Sequence, residues 1–82
     1  MKRIVVAQRG WVVVGEYEKT DDEVVLTGAS VLRRWGTSEG LGELAAKGPQ
    51  ANTVLDPAGT VRVPALAVVL TFDCNAETWA PK

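Results

Sequence analysis

The sequence predicts a mostly β fold, a small SH3-like or related antiparallel barrel of five to six strands with one short inserted helix, and three observations lead there. Thirteen valines and 46% hydrophobic residues in an 82-residue chain, with only 6% aromatic, favour pleated surfaces over helices. The apolar runs are short and are separated by Gly, Asp and Pro turn residues at close intervals. Near the C-terminus, Pro64–Ala67 joins two apolar runs without a turn dipeptide, and a single 3₁₀ turn between bent strands is how SH3-like barrels close. The expected organisation is a single domain over residues 1–82, with a barrel at 3–75, a helix at about 38–47 and a C-terminal tail at 76–82.

Ile4–Ala7 opens as a strand, and Gln8-Arg9-Gly10 supplies a hairpin connection with glycine where a left-handed residue is wanted. The returning strand, Trp11–Glu18, places Trp11, Val13 and Tyr17 on one face and Val12, Val14, Glu16 and Glu18 on the other. Its first half reads as buried on both sides, and Gly15 marks a bend or bulge. After the polar turn Lys19–Asp22, Glu23–Thr27 forms a third strand with Val24 and Leu26 inward. The chain continues extended through Val31–Trp35, with Leu32 inward, and a bulge at Gly28 would swap the faces. Thr37–Lys47 reads as a short helix with Thr37 or Ser38 as N-cap, Leu41, Leu44 and Ala45 on its buried face, and Lys47-Gly48-Pro49 as its stop. Asp56-Pro57-Ala58-Gly59 carries the residues a type I turn prefers, which predicts a hairpin between Thr53–Leu55 and Thr60–Val63. The last strand, Val68–Phe72, places Val68, Leu70 and Phe72 on one face. Ala76–Lys82 trails behind it unless Trp79 finds a pocket.

The composition excludes several functions. With no histidine and one cysteine, Cys74, a single chain assembles no His-based triad, no zinc cluster and no disulfide framework, so the expectation is a protein that is not an enzyme and needs no cofactor or metal. Nine basic and ten acidic residues are scattered rather than blocked, which disfavours general nucleic-acid binding. The apolar runs are too short for a signal-peptide core or a membrane span, so an intracellular, soluble protein without membrane association is expected. A domain this small has a thin stability margin, and homo-oligomerisation would relieve it.

One stretch reads as neither plain strand nor plain turn. From Arg33 to Gly42, two guanidinium groups, an indole, two hydroxyls and three glycines precede the helical run. Free amides at a helix N-terminus attract anions, and glycines let a ligand approach the main chain. Arg33 and Arg34 would hold phosphate, Trp35 would stack on a base, and Thr37 and Ser38 with the amides around Gly40 and Gly42 would complete an anion site. The spacing matches neither the Walker A loop nor the dinucleotide fingerprint. The alternative is a structural corner in which Arg33 pairs with Glu39 or Glu43 and Trp35 packs in the core. Gly40 and Gly42 weaken the helix by about 1 kcal/mol each relative to alanine, which invites a reason for keeping them. Elsewhere, Glu16, Glu18, Asp21, Asp22 and Glu23 lack the spacing of a metal loop, Cys74 reads as a buried small hydrophobe, and nothing argues for chemistry between Asp56 and Glu43.

The segments RRWGTSEGLGELA, GPQANTVLDPAGTVRVP and VVLTFDCN together resemble a family of short, functionally unassigned proteins encoded by bacteriophages and prophages, over about Ile4 to Asn75. The resemblance implies a viral setting in the host cytoplasm. Phage proteins of this size serve as virion or assembly parts or as inhibitors of host defence, some as small oligomers that sequester nucleotide-derived immune signals. The expected function is therefore a phage-type binding protein that holds an anionic, nucleotide-like ligand at Arg33–Gly42. The alternative is a structural or protein-interaction module without a small-molecule ligand.

Overall fold

A computed structural model describes residues 1–80. Five strands, β1 (Lys2–Ala7), β2 (Trp11–Lys19), β3 (Glu23–Arg34), β4 (Val54–Pro64) and β5 (Val68–Asp73), form one antiparallel sheet in the order β4-β3-β2-β1-β5. The helix α1 (Leu41–Lys47) lies between β3 and β4 in the chain, and 3₁₀ turns at Gln8–Gly10 and Ala65–Ala67 join β1 to β2 and β4 to β5. The fold is thus mostly β with one short inserted helix. β4 and β5 are the two ends of the ladder, and among the described residues no pairing joins them to close a barrel.

The alternation of side chains makes two cores, one on each face. Ile4, Val12, Val14 and Leu32 meet Leu41, Leu44 and Ala45 of α1 together with Cys74 and Trp79. Val5, Ala7, Val13, Val24, Leu26, Ala29 and Val63 form the core of the opposite face. The run Val12-Val13-Val14 is buried throughout because it feeds both.

Bulges bend the strands and set which face each residue takes. The β2–β3 register shifts between Val14 and Glu16. A Cβ on Gly15 would meet Thr27 O at 3.0 Å, so any side chain at this bend would press on the β3 backbone. In β3, Val24 and Leu26 face one core while Leu32 faces the other, the parity change falling at the irregularity between Leu26 and Ala29.

Four expectations are corrected. Asp56–Gly59 is not a hairpin turn: β4 runs unbroken from Val54 to Pro64, pairing Leu55 with Leu32 and Val61 with Leu26. The same residues make a bulge, where Pro57 lies opposite Ser30 and Gly59, at φ 69°, opposite Ala29. Pairing along the whole of β3 outweighs the local turn preference. The helix begins at Leu41 rather than near 38, with Gly40 as its N-cap. Val68 packs against the β3–β4 core rather than sharing a face with Leu70 and Phe72, because the β1–β5 register shifts between Val6 and Ala7. Trp11 lies at the end of its strand beside the 3₁₀ turn and is exposed, not buried on both sides.

Trp79 does find a pocket. Its Nε1 donates to Leu44 O at 3.1 Å and Ala45 O at 3.0 Å. Asn75 N–H also donates to Ala45 O, and the Thr78 hydroxyl donates to Ala46 O at 3.0 Å. The segment after β5 therefore supplies the donors that the last carbonyls of α1 lack.

Candidate functional site

The Arg33–Gly42 corner follows directly from the end of β3. Arg33 and Arg34 close the strand, with Arg34 paired to Val54 of β4. Trp35 is exposed to 42% and its carbonyl accepts from Thr53 Oγ1 at 2.6 Å. Gly36, at φ 71°, presses on the Asn52–Thr53 backbone, where a Cβ would come within 2.5 Å. Three contacts thus tie the corner to the residues entering β4.

The polar groups proposed for an anion have partners within the chain. Arg33 Nε lies 3.0 Å from Asp56 Oδ2, an exposed ion pair across β3 and β4 that replaces the pairing with Glu39 or Glu43. The Thr37 hydroxyl donates to Gly40 O at 2.8 Å, so it does not cap the helix by accepting an amide. Glu43 Oε1 accepts from the Ser38 hydroxyl at 3.3 Å and from Glu39 N–H at 3.2 Å. A carboxylate of the chain itself therefore stands before the helix, with the sign and hydrogen-bonding role foreseen for a phosphate. The Trp35 ring lies over Gly40, whose missing Cβ would sit 4.0 Å from Cζ3. The structure brings Trp35, Thr37, Ser38, Gly40 and the start of α1 together, and leaves Arg34 exposed and without a side-chain partner among the described residues. Gly42 is inside the helix with open space where a Cβ would be, so it makes no room for a neighbour.

A second surface was not foreseen. A cleft of about 300 Å³ on the face opposite α1 is lined by Val5, Ala7, Val13, Val31, Val61 and Val63, with Trp11 and Ala67 in its wall. Trp11 in that wall is 59% exposed and Leu66, next in the chain to Ala67, is 95% exposed, while Val69 is exposed in β5 and Leu70, paired with Val6, is exposed on the helix-bearing face. Strand register places Ala7 between Trp11 on one side and Val68 on the other. The uncharged Val68–Phe72 run was the one sequence signal available; the exposure of Trp11 and Leu66 depends on tertiary packing.

Cys74 is buried, and its thiol is pushed up to about 11 by burial, with the nearby Lys2 charge opposing the shift. A thiol held neutral is a poor nucleophile. Among the described residues, no group of three or more Cys, Asp or Glu side chains gathers as a metal ion would need. No described helix is long and apolar enough to cross a membrane. No family model, curated protein or solved structure matches the chain.

Proposed function

We propose that the chain is a non-catalytic interaction module that works as a self-associating assembly, with the host cytoplasm as its setting, in keeping with the phage proteins its motifs resemble. One observation carries this reading. Trp11, 59% exposed, stands in the wall of an apolar cleft with Ala67, next in the chain to the exposed Leu66, and surface of that kind marks contact with another macromolecule. Native mass spectrometry tests it: species heavier than the 8.8 kDa chain are expected at micromolar concentration. A monomer at every concentration reached would reject self-association.

A second reading keeps an anionic, nucleotide-like ligand, possessed of a phage role in sequestering a host signal, at the Arg33–Gly42 corner. The exposed, adjacent side chains of Arg34 and Trp35 favour it, since they offer a free cation beside an aromatic face. Calorimetry with cyclic and ADP-ribose-type nucleotides should then give saturable heats that Arg34→Ala abolishes and Glu43→Gln strengthens. Flat titrations with folded protein would remove this reading.

A further inference from the structure

The 3₁₀ turn Ala65–Ala67 stands between an apolar hole and two opposite charges. Ala67 lines the cleft, and Leu66, the residue before it, is 95% exposed. The cleft, at about 300 Å³, is several times the ~30 Å³ that one water occupies, so it has room for a leucine side chain. Arg62 borders it too, but its guanidinium is paired with Glu23 Oε1 at 3.3 Å. At the start of the turn, Ala65 N–H donates to Asp22 O at 2.9 Å, which puts the exposed Asp21-Asp22 pair beside it. At its end, Gln8 lines the cleft together with Ala67, and the exposed Arg9 follows Gln8. Arg9, Asp21 and Asp22 make no ion pair among the described residues, and the two carboxylates outnumber Lys19 in their own turn.

We propose that this face is the subunit contact of a two-fold dimer in which Leu66 of each copy enters the cleft of the other. The proposal rests on the self-association reading above and assigns its interface. Two features single out a second copy as the occupant. Knob and hole stand side by side, Leu66 being next in the chain to Ala67 in the cleft wall, so one two-fold axis fills both clefts at once and assembly closes at two copies. A knob remote from its hole would instead join copies head to tail without closure. The charges are self-complementary as well. A two-fold that exchanges the ends of the turn brings Arg9 of one copy to Asp21 and Asp22 of the other, and does so twice. Trp11, 59% exposed in the same wall, is covered by the incoming turn.

The test combines a block and a charge swap. Sedimentation velocity should show wild-type protein at twice the 8.8 kDa chain mass. Leu66→Asp, at a position 95% exposed and so outside the core, should raise the dissociation constant by roughly 100-fold, about tenfold for each of the two leucines removed from the contact. Arg9→Asp, a residue that tolerates the left-handed backbone at this position, should weaken the dimer by about tenfold, as should Asp21→Lys with Asp22→Lys in a second chain. Each of these chains alone sets like charges against each other. An equimolar mixture of the two pairs opposite charges at both positions and should recover the wild-type affinity, which no contact within one chain can do. Circular dichroism checks that each variant keeps its sheet, and if a charge variant fails to fold, Leu66→Asp decides alone. Wild-type protein that stays monomeric overturns both the self-association reading and this contact. A dimer untouched by Leu66→Asp, a mixture of folded charge variants that does not recover, or species that grow beyond two copies overturn this contact and leave self-association standing.

Discussion

Gly36 shows how single residues hold the candidate corner. At φ 71°, with the Asn52 and Thr53 backbone within 2.5 Å of where a Cβ would stand, it allows β3 to pass directly beneath the entry to β4. Gly36→Ala adds both a left-handed penalty and a backbone clash, and it should lower stability by about 3 kcal/mol in urea denaturation. Cys74 gives a prediction in pH. Its thiol ordinarily ionises near 9.0 but is held protonated to about 11 in the fold, so between those values the unfolded chain binds fewer protons and stability falls as pH rises. Below pH 9 the group contributes no slope. Denaturation at pH 8 and 11 should differ by about 2 kcal/mol more in wild type than in Cys74→Ala. The buried, inert character of Cys74 was legible in the sequence, whereas the Asp56 partner of Arg33 was not, because it joins strands whose register the bulge at Gly59 decides.

Among the elements, α1 was read correctly on its buried face, Leu41, Leu44 and Ala45, and incorrectly at its start. The periodicity of apolar residues fixes a face, but a cap depends on which way a hydroxyl points, and Thr37 turns to Gly40 O. The glycines there also separate into two kinds. Gly40 stands outside the helix at φ 85°, while Gly42 has helical backbone and open space around it. Gly42→Ala should therefore stabilise the protein by about 1 kcal/mol, seen as a raised midpoint of thermal unfolding; a loss would mean that the helix N-terminus makes a close contact in the assembled protein. β4 shows the converse failure. Asp56-Pro57-Ala58-Gly59 satisfies a turn rule residue by residue, yet Leu55 and Val61 on either side both pair with β3, and long-range pairing of a whole strand overrides a four-residue preference.

At the scale of the whole molecule, the β class, the one short inserted helix and the 3₁₀ turn before β5 could be read from composition and spacing. The exposed end of the sheet could not, since Trp11 alternates correctly with Val13 yet stands at the end of its strand beside the 3₁₀ turn, where nothing covers it.

The pairing of β1 with β5 also governs how the chain reaches this state. Arg3 pairs with Asp73, and Lys2 Nζ donates to Trp79 O across 77 positions of sequence. The contact closes the longest loop in the molecule, and such closures slow folding. Stopped-flow refolding monitored by tryptophan fluorescence in a variant that keeps only Trp79 should proceed in milliseconds to seconds rather than microseconds. During synthesis, β1 emerges well before β5, its second neighbour, leaving Ile4 and Val6 with an unpaired edge until the final strand arrives. The nascent protein thus passes through an interval of aggregation risk whose length is set by translation speed.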